Sequence, residues 1–165
     1  MKKIYVIGAV GALAAVAAGT PAFAGTATGS MAVSATVLES CTVVATPMLF
    51  GALTEVGAAD VNSTATLTLS CTPNADFYIG MNDGANASSG QRRLKHSANA
   101  EFLNYNLYID SGRSQPWGNV AGTNTKSGTA PLGTSVHTVY GQIPAGVAGV
   151  SAGAYADTVT VTVTF

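Results

Sequence analysis

The sequence Tyr155-Ala-Asp-Thr-Val-Thr-Val-Thr-Val-Thr-Phe165 decides the fold class of this chain. Threonine occupies every second position from Thr158 onward, and the positions between are apolar. Successive side chains of a β-strand point to opposite faces of its sheet. The pattern therefore predicts a long strand with one face in the core and one face in water. The core-facing set would be Val159, Val161, Val163 and Phe165.

Strand patterns recur along the rest of the chain. Runs rich in glycine, proline, asparagine or serine separate them, and no segment shows a helical period. The predicted strands cover residues 41–47, 61–71, 77–81, 101–110 and 135–143. Residues 83–98, with Arg92, Arg93, Lys95 and His96, are interpreted as a polar loop, and residues 111–133 as a second loop. The sequence thus predicts an all-β protein.

The order of these strands favours an incomplete immunoglobulin-like β-sandwich. Such a sandwich normally needs one more strand after a segment like residues 155–165 to cover its core. No residue follows Phe165 in this sequence, whereas a spare strand pattern lies at residues 31–37. We therefore expect a sandwich that lacks its last strand and has an N-terminal strand to spare.

The first 24 residues have the features of a secretory signal peptide. A basic start, Lys2-Lys3, precedes an uncharged and mostly apolar run over residues 4–18. The motif Ala22-Phe-Ala24 then supplies a cleavage site before Gly25. A membrane helix is the alternative, but the run is shorter than the ~20 residues that a span needs. We expect an exported protein that begins at Gly25.

Charge is sparse after the predicted signal peptide. Removing Lys2 and Lys3 leaves five basic and eight acidic side chains, with no block of like charge. A nucleic-acid surface needs a basic stripe that displaces counterions. We therefore expect no nucleic-acid partner.

Cys41 and Cys71 are the two cysteines of the chain, and both follow the predicted signal peptide. Exported cysteines that are even in number usually pair, so we expect one disulfide. A metal site is the alternative. It would need more ligands than two thiols, and neither cysteine lies in a C-x-x-C pair.

Candidate catalytic and ligand-binding residues are few. Gly149-Val-Ser-Ala-Gly153 matches the G-x-S-x-G nucleophile pattern, but a strand rather than a helix follows it, and no histidine comes after His137. His96 and His137 have no neighbouring cysteine or histidine. Trp117 and Tyr105 could stack on a carbohydrate, although packing inside the protein is the expectation. We expect no enzyme, no metal and no cofactor.

Several short motifs occur in a fixed order after the predicted signal peptide. They are Cys41-Thr-Val43, Leu69-Ser-Cys-Thr72, Leu103-Asn-Tyr-Asn-Leu-Tyr-Ile-Asp110 with Trp117-Gly118, Val139-Tyr-Gly-Gln-Ile-Pro-Ala-Gly146, and the final run over residues 157–165. Together they resemble the spore coat protein U domain family, which includes subunits of archaic, Csu-type chaperone–usher pili. The resemblance covers essentially all of the chain after residue 24.

This resemblance implies a fold that is completed by strand exchange. In the family, a periplasmic chaperone lends the missing strand, and at an outer-membrane usher the N-terminal strand of the next subunit replaces it. Residues 25–37 would then be the donor-strand extension, and residues 38–165 the immunoglobulin-like domain. The donor residues would be Met31, Val33, Ala35 and Val37. The acceptor groove would include Val43, Val159, Val161, Val163 and Phe165.

The resemblance also implies a function. It indicates a structural pilus subunit that polymerises head to tail at the cell surface and supports adhesion and biofilm formation. Its partners would be copies of itself, the chaperone, the usher and other pilus subunits or a tip adhesin. Two alternatives stay open: a spore or cell-coat protein of the same fold, and a monomeric periplasmic binding module that fills its own groove.

Overall fold

A computed structural model describes residues 24–165. The predicted signal peptide therefore lies outside the described residues except for Ala24. The chain divides into an N-terminal unit, of which residues 24–35 are described, and a body over residues 36–165. In the described part all regular structure is β-strand, and no helix is available to span a membrane. The all-β prediction is confirmed.

Ten strands form three antiparallel sheets in the described residues. The strands are β1 (Cys41–Ala45), β2 (Val61–Cys71), β3 (Ala75–Met81), β4 (Arg93–His96), β5 (Phe102–Asn104), β6 (Asn106–Tyr108), β7 (Lys126–Ala130), β8 (Thr134–Ile143), β9 (Tyr155–Ala156) and β10 (Val161–Thr164). The sheet orders are β1-β2-β8-β6, β10-β3-β7 and β5-β4-β9. Strands β1, β2, β3 and β8 lie close to where the sequence predicted them.

The core lies between the inner faces of the β1-β2-β8-β6 sheet and the β10-β3-β7 sheet. In β2, the apolar residues Ala65, Leu67 and Leu69 are buried and alternate with threonines. Facing them across the core are Phe77 and Ile79 of β3. Because burial follows the two-residue period of each strand, one face of each sheet is apolar and the other is polar.

Trp117 lies in this core. Its side chain is 1% exposed, and its Nε1 donates a hydrogen bond of 2.8 Å to the carbonyl of Ile79. Tyr105 is also buried. The expectation that these two aromatic residues pack inside the protein is confirmed.

The prediction of one continuous strand over residues 101–110 is wrong. The segment breaks at Tyr105, whose N–H donates to the carbonyl of Arg92. Before the break, β5 pairs with β4; after it, β6 pairs with β8 in a different sheet. The chain thus passes from one sheet to another within three residues, which the alternating pattern cannot reveal.

Both predicted loops contain strands. Within residues 83–98, β4 pairs with β5 and β9, and Arg92 and His96 are each only 7% exposed. Polar groups can be buried when they are hydrogen-bonded, and His96 Nδ1 accepts from the N–H groups of Ala98 and Asn99. Within residues 111–133, β7 pairs with β3 through small residues that carry little strand signal.

The final predicted strand is also divided. Strand β9 pairs with β4, and β10 pairs with β3. Residues 157–160 lie between them without a strand assignment. The predicted alternation nevertheless holds, because Val159, Val161 and Val163 pack partly buried against the core and the threonines between them are exposed.

Candidate functional site

Two sheet edges face an open groove on one side of the sandwich. Strand β1 pairs only with β2, and β10 pairs only with β3, within the described residues. The two strands lie near each other without a ladder of hydrogen bonds between them. The sandwich is therefore open along this side of the described body, as expected for a fold that lacks one strand.

The edge of β1 presents free backbone groups to this opening. The N–H of Thr46 donates to the carbonyl of Thr66, and the N–H of Thr72 donates to the carbonyl of Ser40. In an antiparallel ladder the direction of the backbone groups alternates from residue to residue. The backbone N–H and C=O groups of the even-numbered residues of this segment therefore point toward β2. The N–H and C=O groups that face the opening belong to Cys41, Val43 and Ala45.

The edge formed by residues 159–163 does the same from the other side. The carbonyl of Thr160 accepts from the N–H of Asn82, so the backbone groups of the even-numbered residues point toward β3. The same alternation directs the free backbone groups of Val159, Val161 and Val163 toward the opening. Two rows of unpaired backbone groups thus border one gap.

The groove beside these edges has a volume of about 350 Å³. Leu67, Leu107 and Val139 line its depth, and Ala45, Val159 and Val161 line its sides. Such an apolar, concave surface with unpaired strand edges suits an extended peptide rather than a polar small molecule.

One end of the groove is polar. The hydroxyl of Tyr105 donates a hydrogen bond of 2.7 Å to Oδ2 of Asp157, and both residues line the groove. Burial, followed by the hydrogen bond to Asp157, raises the pKa of Tyr105, so this hydroxyl keeps its proton. Oδ1 of Asp157 accepts from the backbone N–H and the side-chain amide of Asn86.

The predicted acceptor residues are only partly brought together. Val159 and Val161 line the groove. Val43 and Val163 pack partly buried against the core instead, and Phe165 is 51% exposed. Met48 and Phe50 also line the groove, but they follow β1 in a segment with no strand pattern, so the sequence did not predict them. The buried residues of β2 and β8 occupy alternating apolar positions of the sequence, which predicts their burial.

The predicted donor residues lie in the N-terminal part of the described chain. Residues 24–40 form no strand. Met31 and Val33 are each 83% exposed, Val37 is 81% exposed, and Ala35 is exposed as well. The donor role of this segment stays a prediction.

Cys41 and Cys71 form the expected disulfide. The two residues are direct partners in the β1–β2 ladder. The bond therefore fastens one edge of the groove to the sheet behind it.

Ser151 of the G-x-S-x-G segment makes a structural contact with Glu101. Ser151 donates from its Oγ and from its N–H to the carboxylate of Glu101, at 2.7 and 2.6 Å. These hydrogen bonds lower the pKa of Glu101.

The Nδ1 atom of His96 accepts hydrogen bonds from the backbone N–H groups of Ala98 and Asn99. Among residues 24–165, no three metal-ligating side chains cluster.

A solved structure resembles this fold. It is the CsuC–CsuE chaperone–tip adhesion subunit pre-assembly complex from the archaic chaperone–usher Csu pili of Acinetobacter baumannii, with a TM-score of 0.54 and 26% sequence identity. The match covers 79% of this chain and 40% of the solved chain, so this chain spans well under half of its length. The likeness confirms the immunoglobulin-like β-sandwich.

Two sequence comparisons agree with each other. The family model of the Spore Coat Protein U domain matches residues 27–162. The protein named Protein U of Myxococcus xanthus is 32% identical over 174 aligned positions, which cover 96% of each chain. This chain therefore belongs to the Spore Coat Protein U domain family.

Proposed function

We propose that this protein is a structural subunit of a chaperone–usher pilus and that it polymerises by donor-strand complementation. The observation that carries the proposal is the apolar groove between two unpaired edges, β1 and β10. An added strand would find hydrogen-bonding groups on both sides and apolar side chains beneath it. Left open, the same surface is an aggregation hazard, which is a reason for a chaperone to cover it.

The N-terminal segment of a second copy is the proposed occupant. Residues 27–37 would extend over ~36 Å, enough to run the length of a sandwich. The alternating residues Met31, Val33, Ala35 and Val37 would fill the groove. Burying four side chains of this size contributes roughly 4–10 kcal/mol, and the ladder bonds add to it. The high exposure of Met31, Val33 and Val37 in the single chain means that little apolar burial is lost when they leave it.

Strand exchange of this kind gives a fibre. Each copy would donate one segment and accept another at a different surface, so the contact is heterologous and does not close on itself. The proposed assembly is a head-to-tail polymer exported through the periplasm to the cell surface. An outer-membrane usher and other pilus subunits or a tip adhesin would be further partners. The role would be adhesion and biofilm formation, without catalysis.

The chaperone partner has the most support. The similar Acinetobacter structure is a complex of a chaperone with a tip adhesion subunit. Since this chain resembles part of that complex and has an open apolar groove, we propose that a periplasmic chaperone fills the groove before assembly.

A coat fibre is the second candidate. It is favoured by the 32% identity to Protein U, which extends over 96% of both chains. The same strand exchange would operate, but the product would be a surface layer instead of a thin pilus. Electron microscopy of the surface of producing cells separates these two outcomes.

Deletion of residues 25–37 tests the mechanism. The shortened subunit should accept a strand but donate none, so that it terminates fibres when mixed with the full-length subunit. Fibres of undiminished length would contradict strand donation by this segment. A full-length chain that stays monomeric at high concentration would instead indicate a self-complemented binding module.

A further inference from the structure

We propose that Tyr105 and Asp157 are positioning residues that hold the β10 side of the groove in place while it is empty. This inference rests on the proposed function. The groove wall, which is the segment over residues 157–163, is the surface that would receive the donor strand. The two side chains belong to a polar cluster at one end of the groove, formed with Asn82, Asn86 and Arg92.

The wall needs such support because its backbone pairing is incomplete. Residues 157–160 belong to no strand. The N–H of Thr160 donates to the side-chain Oδ1 of Asn82 at 2.9 Å, where a regular ladder would offer a backbone carbonyl. Two further bonds run from the N–H groups of Asn82 and Ala85 to the carbonyls of Thr160 and Thr158. Side chains thus replace part of the ladder at this edge.

Asp157 fastens the start of this wall. Its carboxylate accepts three hydrogen bonds: 2.7 Å from the Tyr105 hydroxyl, and 3.0 and 2.9 Å from the backbone and side chain of Asn86. Gly84 leaves room for it, because a Cβ at Gly84 would collide with the Asp157 carboxylate. The surrounding residues therefore fit closely around the half-buried carboxylate of Asp157.

Arg92 binds the backbone carbonyls beside this cluster. Its guanidinium donates to the carbonyls of Met81, Asn82 and Trp117 at distances of 2.7 to 3.0 Å. Burial lowers the pKa of Arg92, while the negative charges of Asp83 and Asp157 oppose this shift. A buried cation of this kind is tolerated only with nearby negative charge and satisfied donors. Arg92 therefore holds the carbonyl of Asn82, whose side chain accepts from the N–H of Thr160, within the cluster.

The consequence concerns Val159 and Val161, which follow Asp157 directly. Their free backbone groups face the groove, and they can pair with an incoming strand only if the wall is already extended. A wall that is held in place avoids the cost of ordering it during capture. The polar cluster would thus raise the affinity of the empty subunit for a donor strand.

Tyr105→Phe tests this inference because it removes one hydroxyl and keeps the aromatic ring. Tyr108→Phe is the matched control, since its hydroxyl bonds to Gln142 away from the groove. The first readout is hydrogen exchange of the unassembled full-length chain, followed by mass spectrometry. We expect exchange of the N–H groups of Thr160, Asn82 and Ala85, which donate hydrogen bonds across this edge, to accelerate by about tenfold, the effect of losing one charge-assisted hydrogen bond. Exchange in β2 and β8 should not change.

The second readout is capture of a synthetic peptide that spans residues 27–37. Tyr105→Phe should weaken capture by about tenfold, and Tyr108→Phe should not. The ability of the variant to donate its own strand should match wild type. Asp157→Asn should reproduce the exchange result, because the amide cannot replace the carboxylate charge.

The outcomes separate the inference from the proposed function. Unchanged exchange of the N–H groups of Thr160, Asn82 and Ala85 in Tyr105→Phe overturns the inference, even if wild type captures the peptide. Faster exchange in every strand also overturns it, because the hydroxyl would then act on general stability. Failure of wild type to capture the peptide overturns the proposed function and, with it, the role in capture.

Discussion

The hydroxyl of Tyr105 donates a hydrogen bond of 2.7 Å to the carboxylate of Asp157. Tyr105 marks the point where the chain leaves β5 and enters β6 in another sheet. Asp157 marks the start of the groove wall that continues into β10. One contact therefore joins the crossing between sheets to the edge on which the proposed strand exchange depends.

Val33→Asp should block strand donation and leave strand acceptance intact. A carboxylate placed in the apolar groove loses its hydration without gaining a partner, which is costly. Ser34→Asp is the control, because this neighbour belongs to the opposite face of an extended strand. Fibre yield measured by sedimentation should fall for Val33→Asp and stay near wild type for Ser34→Asp. Equal yields for the two variants would show that the predicted donor face is wrong.

Val161→Asp should have the opposite effect, blocking acceptance while preserving donation. Val161 is half-buried and lines the groove, whereas Thr162 is exposed on the other face. Each variant is mixed with subunits that lack residues 25–37, which can only accept a strand. Val161→Asp should still bind to them through its own N-terminus, and Thr162→Asp should both donate and accept. Loss of donation by Val161→Asp would indicate a misfolded chain, which circular dichroism would check.

Replacing both cysteines by serine should destabilise the body by about 3–4 kcal/mol in the chain-entropy account. The disulfide closes a loop between residues separated by 30 positions and fastens β1 to β2. Urea unfolding of the double variant, compared with wild type with and without reductant, measures the effect. A double variant as stable as the oxidised wild type would mean that packing alone holds the β1 edge.

His137 should make stability fall in mild acid. Its side chain lies edge-on to Phe77, on the inner side of β8. Burial, and secondarily the positive charge of Lys126, lowers the pKa of His137 below its ordinary value of 6.5. The unfolded chain then binds the proton more tightly than the folded chain. The free energy of unfolding should therefore be highest above pH 6.5 and decrease as the pH falls from 6.5 toward the lower folded-state pKa.

Urea titrations of wild type and His137→Gln at about pH 7.5 and about pH 5.5 test this dependence. The variant should lose less stability between the two pH values than wild type does. His96 is present in both chains, so the difference between them belongs to His137. The same loss in both chains would assign the pH dependence to other groups.

The regular strands could be predicted because burial in them follows sequence period. Strand β2 has the predicted bounds, and its alternate residues Leu67 and Leu69 are buried. Strand β8 differs from its prediction by one residue at its start. In both strands a long apolar face packs on the core, so the local pattern and the fold agree.

The polar part of the site could not be predicted in this way. Arg92 is buried because carbonyls of Met81, Asn82 and Trp117 converge on it. That convergence is set by tertiary structure, and no local pattern records it. Asp157 occupies a position that the alternation of the last strand assigns to the apolar face, and its carboxylate accepts from the backbone N–H of Asn86. The link from Asp157 to Tyr105 required the structure.

A high-resolution structure of the assembled fibre tests the central claim most directly. The account predicts that residues 27–37 of one subunit lie between β1 and β10 of the next, with backbone hydrogen bonds to Val43 and Val161. It also predicts that Met31, Val33, Ala35 and Val37 point into the groove. A fibre in which the groove is empty, or is filled by a segment of the same chain, would contradict it.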